Sequence, residues 1–240
     1  MKTIIVTGDS RGVGYSITNL LLERGYNVIG LSRKQSLQSI SLKENYKETY
    51  THIDFDLSNV GDIKELYKKE LRPLGPIHGI VNNAAIAYDD IITNLDLDQL
   101  EEMYRINVFS PMMLTKYVLR DMLLHKTKGT ILHISSISAH TGYKGLAMYA
   151  STKGAIEAFS KNTAREWGGL GIRSNIICPG FMDTDMSTSL SDDQKNRIFN
   201  RNSRKKPIEV VDIANTVVFL MDDMSSGITG EIIHVDNGTI

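Results

Sequence analysis

The sequence predicts one α/β domain built on a doubly wound, mostly parallel sheet with helices on both faces. Short β-branched runs alternate with longer helical stretches, and several runs are apolar almost throughout, as in strands covered on both faces. Such alternation implies right-handed crossovers between parallel strands. No linker, repeat or change of composition divides the 240 residues, so we expect a single domain over 1–240.

The elements follow one another in a regular order. The first β-branched run leads straight into a glycine turn, and a helical pattern begins at once after that turn. Most later motifs also fall just after a strand, at the edge where such sheets bind ligands. The predicted strands are 4–7, 28–31, 50–54, 79–82, 130–135, 173–178 and 231–235. The predicted helices are 13–25, 60–71, 98–126, 148–168 and 209–222.

Composition and charge exclude several classes of function. The formal net charge is -1 and no long basic run occurs, so nothing indicates a nucleic acid partner. The single cysteine, Cys178, excludes an intramolecular disulfide and suits a reducing cytoplasm. The first residues lack the apolar core of a secretory signal, and no run reaches the ~20 apolar residues of a membrane-spanning helix. We therefore expect a cytoplasmic protein with no nucleic acid or membrane partner.

A glycine-rich turn follows the first strand and opens the first helix. Gly8, Gly12 and Gly14 permit a tight turn, close approach of a pyrophosphate and close packing of the helix on the strand. The amino terminus of the helix also offers N–H groups and a partial positive charge to an anion. In a strand–helix alternation, this turn predicts nucleotide binding.

The end of the second strand predicts which nucleotide binds. An acidic residue there would hydrogen-bond the ribose 2′-hydroxyl of NAD, but Ser32 and Arg33 stand in its place. Arg11 lies in the glycine turn, and guanidinium groups suit a phosphate. We therefore expect NADPH or NADP, the alternative being two surface arginines without a ligand. Asp56 and Leu57, after the third strand, are expected to border the adenine.

A tyrosine and a lysine one helical turn apart form the candidate catalytic pair. Tyr149 and Lys153 share one face of the helix predicted at 148–168. A nearby cation favours the phenolate and brings its pKa, ordinarily about 10, toward neutral pH. Tyr-x3-Lys alone is common, but Ser136 ends a strand just upstream and Asn107 lies in the preceding helix. Together these residues predict a proton-transfer site.

These motifs resemble the short-chain dehydrogenase/reductase family, and most closely its beta-ketoacyl-acyl-carrier-protein reductases. The resemblance extends from Thr3 to Gly238 and includes Gly-x3-Gly-x-Gly, Asn-Asn-Ala, Tyr-x3-Lys and Pro-Gly-Phe-x-x-Thr-Asp-Met in the family's order. It implies a Rossmann-type fold and an NADP-dependent oxidoreductase acting on CH–OH and C=O groups. It also implies a homo-oligomer, a tetramer or dimer, paired through the helices at 98–126 and 148–168. No metal is implied, and no His/Cys cluster in the sequence indicates one.

The resemblance implies roles for individual residues. Tyr149 would protonate the carbonyl oxygen, Ser136 would hydrogen-bond that oxygen, and Lys153 would hold the nicotinamide ribose and lower the pKa of Tyr149. Asn107 would support a water that relays protons to Lys153. The cofactor-binding residues implied are Gly8, Ser10, Arg11, Gly12, Val13, Gly14, Arg33, Asp56, Leu57, Asn83, Ala84, Tyr149, Lys153, Pro179, Met182 and Thr184.

Other reactive side chains near the site are expected to be structural. Ser135 should face away from Ser136 on an extended strand. Cys178 lies in an apolar strand, where it replaces a small hydrophobic residue. We assign no catalytic role to His133 or His140.

A polar segment, 186–207, interrupts the alternation beside the expected site. We interpret it as a substrate lid, because hydride transfer benefits from the exclusion of water; a surface loop is the alternative. Its basic side chains would meet an anionic substrate or lie in solvent. They are Arg201, Arg204, Lys205 and Lys206.

Three departures from the family pattern bear on function. Ala85 and Asn237 stand where glycine is usual; the first should leave binding intact, and the second can alter the terminal turn. Acyl-carrier reductases present basic residues near the active-site mouth, but Leu170 occupies one such position, with Lys126 and Lys128 available for the other. We therefore expect reduction of a carrier-linked 3-oxoacyl group, or of a sugar-derived or small free ketone. The alternative from another class is a protein that senses NADPH without turnover.

Overall fold

The computed structural model describes residues 1–183 and 191–240. In this part of the chain seven strands form one parallel sheet in the order β3-β2-β1-β4-β5-β6-β7, which confirms the predicted doubly wound fold. The strands are β1 Thr3–Thr7, β2 Asn27–Ser32, β3 Tyr50–Asp54, β4 Ile77–Asn82, β5 Thr130–Ile134, β6 Arg173–Pro179 and β7 Ile232–Val235. The α-helices are α1 Gly12–Glu23, α2 Leu37–Asn45, α3 Ile63–Leu66, α4 Leu97–Tyr104, α5 Ser110–His125, α6 Ala147–Trp167, α7 Asp192–Phe199 and α8 Val210–Met221.

The order of the strands reverses beside β1. From β1 the chain moves outward through β2 to β3, then crosses to β4 on the other side of β1 and continues to β7. In such a sheet a crevice opens at the carboxyl ends of the two strands where the direction changes. The loops that begin at Gly8 and Asn83 therefore border the same crevice.

Helices cover both faces of the sheet. On one face α1 and α8 pack over Ile4, Val6 and other buried side chains, and on the opposite face α3 and α5 cover Ile5 and Ile80. Successive side chains of a strand point to opposite faces, so each central strand contributes to both cores. This double burial explains the uninterrupted apolar runs. Among the helices of residues 1–183 and 191–240, none combines the length and the apolar composition of a membrane span.

Two of the predicted helices are irregular. The helix predicted at 98–126 consists of α4, a π-helical segment Arg105–Phe109, and α5. The helix predicted at 60–71 consists of a 3-10 turn, α3 and a π-helical segment Tyr67–Leu71. A π turn adds one residue without breaking the helical path, so hydrophobic periodicity does not reveal it. Such turns are frequent at functional sites, and the first contains Asn107.

Helices α2 and α7 have no counterpart among the predicted helices. α2 begins at a capping box formed by Ser36 and Ser39, and Leu42 is its one large buried side chain. Its sequence therefore lacks the broad apolar stripe by which a surface helix is recognised. α7 lies within the segment 186–207, of which 186–190 fall outside the described residues. The interpretation of that segment as a substrate lid stays a prediction.

Candidate active site

The glycine turn directs the amino terminus of α1 toward the crevice. Gly8 and Gly12 adopt φ angles of 71° and 55°, a region that favours glycine. A Cβ atom on Gly14 would lie 2.0 Å from the Gly8 carbonyl oxygen, so the helix packs directly on the turn. Arg11 is the N-cap residue, and α1 has neither a side-chain cap nor an acidic residue in its first turn. The first N–H groups of α1 can therefore donate hydrogen bonds to an anion.

Asn83 and Ala84 connect this turn to the end of β4. Asn83 Nδ2 donates to the Thr7 carbonyl oxygen (2.9 Å), and the backbone N–H groups of Asn83 and Ala84 both donate to Thr7 Oγ1 (3.0 Å each). Asn83 therefore supports the backbone of the glycine turn. Sequence reasoning missed Thr7, because its partners lie far away along the chain.

A buried ionic cluster lies beneath the turn. Asp9 is fully buried, and its Oδ2 accepts hydrogen bonds from the Tyr50 hydroxyl and from His52 Nδ1 (2.8 Å). His52 Nε2 lies 3.2 Å from Asp54 Oδ1. Gly30 provides the space, since a Cβ atom there would lie 1.8 Å from Asp9 Oδ2. The alternating polar residues of β3 were a usable signal for this cluster, which sequence reasoning also missed.

The end of β2 carries the basic side chain expected to select the cofactor. β2 ends at Ser32, and Arg33 follows it as an exposed residue. The adjoining helix α2 is attached to the glycine turn, because Ser36 Oγ donates to the Ser10 carbonyl oxygen (2.5 Å). The turn and the segment after β2 therefore border one region, as the cofactor prediction requires.

Asp56 and Leu57 shape the loop after β3. Asp56 Oδ1 accepts a hydrogen bond from the Ser58 backbone N–H (2.9 Å). Leu57 is buried, and its carbonyl oxygen accepts a hydrogen bond from the Ser110 hydroxyl at the start of α5. Both residues thus hold this loop in place beside the crevice.

Ser136, Tyr149 and Lys153 come together beyond the carboxyl end of β5. The Ser138 hydroxyl donates to Ser136 Oγ (3.0 Å), which leaves the Ser136 proton for another acceptor. Tyr149 and Lys153 lie one turn apart on α6, with Lys153 Nζ 5.4 Å from the centre of the Tyr149 ring. Lys153 Nζ also donates to the Ile134 carbonyl oxygen (2.9 Å).

Burial controls the pKa values of this pair. It raises the pKa of Tyr149 above the ordinary value, and hydrogen bonding with Ser136 only partly offsets the effect. Burial lowers the pKa of Lys153 to about 8, although the neighbouring Cys178 and Glu157 act in the opposite direction. The pKa of Tyr149 thus moves opposite to the expected direction, because the cost of burying a phenolate exceeds the stabilisation that the hydrogen bond with Ser136 provides.

Asn107 is oriented by three hydrogen bonds. Its Oδ1 accepts from the Ile86 N–H (2.9 Å), and its Nδ2 donates to the Ile86 carbonyl oxygen (2.8 Å) and to Thr152 Oγ1 (3.1 Å). Thr152 precedes Lys153 on α6. Asn107 therefore ties the loop after β4 to the helix that carries the catalytic pair, and its water relay stays a prediction.

The loop after β6 forms another wall of the crevice. Pro179 ends β6, and Met182 is partly buried against the core on the α1/α8 face. Thr184 lies outside the described residues.

Near the end of the chain Asn237 adopts a φ of 56°, a conformation that asparagine tolerates, so the terminal turn is left-handed although glycine is absent.

Helix α7 is attached to this loop. The Phe181 and Phe199 rings lie 5.7 Å apart between centroids, and Lys195 Nζ donates to Asp183 Oδ1 (2.7 Å). From the basic group of the polar segment, Arg204 donates to Asn237 Oδ1 (3.3 Å). The described part of the segment therefore contacts both the loop after β6 and the terminal turn.

Three neighbouring side chains lack the properties of catalytic groups. Burial lowers the pKa of His133 to about 3, so its imidazole stays neutral. Burial raises the pKa of the Cys178 thiol to about 12, which disfavours the nucleophilic thiolate. The Ser135 hydroxyl donates a hydrogen bond to Glu157. Among the hydrogen bonds of the described residues, none joins Ser135 to Tyr149.

The positions expected to engage an acyl carrier lie at the opposite ends of the strands from the site. Lys126 and Lys128 precede β5, and Leu170 precedes β6, so all three are at the amino ends of these strands. Ser136 and Tyr149 are at the carboxyl ends. The expectation that these positions border the mouth of the chain's own site is therefore wrong, because the length of the parallel strands separates their amino ends from their carboxyl ends.

Comparisons with known proteins agree with this geometry. A family model described as enoyl-(acyl carrier protein) reductase matches residues 8–239. The 3-oxoacyl-(acyl-carrier-protein) reductase FabG of Staphylococcus epidermidis is 33% identical, over 99% of this chain and 98% of its own length. FabG of Escherichia coli K12 is 35% identical, over 99% of this chain and 96% of its own length.

Solved structures share the fold over nearly the whole chain. A structure described as ElxO with NADP bound has a TM-score of 0.90 at 25% identity, covering 99% of this chain and 98% of its own. Gluconate 5-dehydrogenase from Burkholderia cenocepacia J2315, in complex with NADP and tartrate, has a TM-score of 0.89 at 23% identity, covering 99% and 94%. With the family match and relatives above 30% identity, the chain belongs to the short-chain dehydrogenase/reductase family, whose members are oxidoreductases acting on CH–OH and C=O groups with a nicotinamide cofactor.

Proposed function

We propose that this protein is an NADPH-dependent reductase that reduces a ketone to an alcohol. One observation carries the proposal. Ser136, Tyr149 and Lys153 meet beyond the carboxyl ends of the strands, on the same side of the sheet as the uncapped amino terminus of α1. The first group can supply a proton to a carbonyl oxygen, and the second can bind a dinucleotide pyrophosphate.

The glycine turn fits a dinucleotide. The position of a Cβ atom on Gly12 has no other atom within 4 Å, so the backbone is open to close approach, whereas Gly14 is packed against the turn. We assign the pyrophosphate to this turn and to the first N–H groups of α1, and the adenosine to the side of Arg33 and Asp56. The nicotinamide end would lie toward Tyr149 and Lys153.

Ser136 and Tyr149 would act together on the carbonyl oxygen. A bound nicotinamide supplies the hydride. Because burial raises its pKa, Tyr149 holds its proton at neutral pH and can donate it from Oη to the oxygen as negative charge develops there. Ser136 accepts a hydrogen bond from Ser138 and can donate its own proton to the same oxygen, which stabilises that charge.

Lys153 would hold the ribose hydroxyls and replace the lost proton. Its ammonium group donates a hydrogen bond to the Ile134 carbonyl oxygen, which fixes the position of the group. The other N–H bonds of the ammonium group remain available to the ribose hydroxyls. A pKa of about 8 makes this group a ready proton donor near neutral pH.

Removal of the Tyr149 hydroxyl tests the mechanism. We expect Tyr149→Phe to lower kcat by roughly 10²- to 10⁴-fold, the usual contribution of general acid catalysis, while NADPH still binds. Turnover is measured by NADPH absorbance, and binding by quenching of protein fluorescence. Tyr46→Phe, which alters a tyrosine at the end of α2, is the matched control and should retain activity. Full activity in Tyr149→Phe would refute the mechanism.

The choice of cofactor follows from the end of β2. Arg33 and Arg11 are the groups we assign to the 2′-phosphate, so NADPH should give a higher kcat/KM than NADH. The NADP named in the two structural neighbours supports this assignment. Equal use of both cofactors would contradict it.

For the substrate, we propose a 3-oxoacyl group linked to an acyl carrier. The relatives that share 33% and 35% identity over the full chain reduce such substrates by name, and Tyr149 with Ser136 suits C=O better than the C=C bond of an enoyl substrate. The second candidate is a sugar-derived or small free ketone. It is favoured by the gluconate dehydrogenase among the structural neighbours.

A comparison of acetoacetyl substrates separates these candidates. If a carrier is recognised, the carrier-linked substrate should give a clearly higher kcat/KM than the same acyl group on coenzyme A. Equal values would exclude carrier recognition, and preference for 5-ketogluconate or a simple ketone would support the second candidate. Binding of NADPH without turnover of any of them would instead indicate a cytoplasmic NADPH sensor.

A further inference from the structure

Three side chains with metal-binding atoms converge near the end of β6. The ligand atoms of His140, Cys178 and His234 all lie within 4.8 Å of one another. These residues come from the loop after β5, from β6 and from β7, and their wide separation in the sequence conceals the cluster. None of them belongs to the groups assigned above to the carbonyl or the dinucleotide.

The pairing of β6 with β7 accounts for half of this arrangement. Cys178 and His234 are register partners, so their side chains stand next to each other on one face of the sheet. Ile177 and Ile233 belong to the core on the α1/α8 face. Because side chains alternate along a strand, Cys178 and His234 point to the opposite face, toward α6.

Glu157 of α6 orients the third side chain. Its Oε1 lies 3.0 Å from His140 Nε2 and also accepts a hydrogen bond from Ser135. The His140 ring packs edge-on against His234, with 4.9 Å between centroids. A buried carboxylate bonded to a ligand histidine is a common feature of metal sites, where it fixes the orientation of the ring.

We propose that His140, Cys178 and His234 form a binding site for Zn²⁺. Nitrogen and sulfur ligands favour zinc among the common divalent cations, and three protein ligands leave a fourth position for water. Tetrahedral coordination places ligand atoms roughly 3.5 Å apart, so the side chains need to close only slightly around the ion. His140 and His234 are exposed, which gives the ion access from solvent.

Zinc at this position would link separate parts of the fold. It would join edge strand β7 and β6 to the loop that begins at Ser136, and it would leave the Tyr149–Lys153 pair outside its coordination shell. We therefore expect zinc to raise the temperature of unfolding, since an ion that binds only the folded chain stabilises it.

Cobalt provides a direct test of the ligands. The full chain, with any affinity tag removed and without cofactor, is titrated with Co²⁺ and followed by absorbance. We expect one Co²⁺ per chain, with visible bands of tetrahedral cobalt and a near-ultraviolet cobalt–thiolate band that Zn²⁺ abolishes. Cys178→Ala should remove the thiolate band. His140→Asn and His234→Asn should each weaken binding by more than the roughly 10- to 100-fold that loss of an outer-shell partner costs.

Matched variants keep the test decisive if the buried Cys178→Ala does not fold. His140 and His234 are exposed, so their variants should fold, which circular dichroism checks. His125→Asn, at the end of α5 and away from the cluster, should bind Co²⁺ like the unaltered chain. Absence of binding, a spectrum without a thiolate band, or equal binding by His234→Asn would each overturn the proposal, whatever the enzyme's activity.

Discussion

At the scale of single residues, Asp9 puts a buried negative charge beneath the turn that we assign to a pyrophosphate. Such a charge would repel phosphates unless it were neutralised. His52 meets this need, because both of its ring nitrogens lie within hydrogen-bonding distance of carboxylates, Asp9 on one side and Asp54 on the other. Burial disfavours the charged imidazole, but hydrogen bonds and charges from the two carboxylates outweigh it and raise the pKa of His52.

This shift predicts a pH dependence of stability. A group whose pKa is raised in the folded state contributes stability that is fully present below its unfolded pKa, about 6.5, and is lost as pH rises through the folded pKa. We expect the free energy of unfolding of the unaltered chain, relative to His52→Asn, to decrease as the pH rises from the unfolded pKa through the raised pKa of His52 in the folded protein. Urea denaturation at several pH values measures the difference.

A neighbouring residue without an ionisable group serves as the control for this prediction. Thr51→Ser, at an exposed position of β3 next to His52, should show no comparable pH-dependent difference. A difference between the unaltered chain and His52→Asn that stays constant with pH would show that folding does not raise the pKa of His52, and it would contradict the prediction.

At the scale of elements, the contact between α1 and the glycine turn places the helix terminus. Gly14→Ala would introduce a Cβ atom 2.0 Å from a backbone oxygen, so α1 must move away from the turn. We expect this variant to weaken NADPH binding at least tenfold and to lower stability by about 1–3 kcal/mol, as overpacking does. Fluorescence titration and denaturation measure the two effects.

The control is a glycine without such a contact. Gly61→Ala adds a Cβ atom with nothing within 4 Å, at a residue outside the left-handed region. It should leave NADPH binding unchanged. If Gly14→Ala also leaves NADPH binding unchanged, the glycine turn is not part of the cofactor site.

At the scale of the whole molecule, α4, α5 and the π-helical segment between them present exposed apolar side chains that a solitary chain would leave in water. Leu97, Phe109 and Leu124 are 61%, 48% and 58% exposed. Exposed apolar surface of this kind often marks a contact between subunits. We propose that these helices, together with α6, pair copies of the chain in a homo-oligomer, as the family resemblance implies.

Charge placed on this surface should dissociate the assembly. We expect Phe109→Glu to reduce the molar mass measured by light scattering after gel filtration to that of a smaller species. Leu37→Glu, on α2, alters an even more exposed apolar residue away from these helices and should keep the mass of the unaltered protein. A monomeric unaltered chain would contradict the proposal.

The sequence by itself determined the class of sheet, the place of each strand found in the described residues, and the motifs of the family. It did so because strand burial and the glycine turn are local patterns: β-branched apolar runs predict strands wherever both faces are covered. The same local patterns could not reveal the π segment around Asn107, whose amphipathic spacing resembles that of an ordinary helix. Nor could they reveal α2, whose face is too polar.

Only the tertiary structure decided which distant residues meet. It joined Asp9 to His52, Thr7 to Asn83, and Cys178 to His234, because strand register and the covering helices set these distances. It also separated Leu170 from the site, because Leu170 lies at the amino end of β6 and the site lies at the carboxyl ends of the strands. The direction of the pKa shift of Tyr149 depended on burial, a property of the folded molecule that spacing along the chain does not contain.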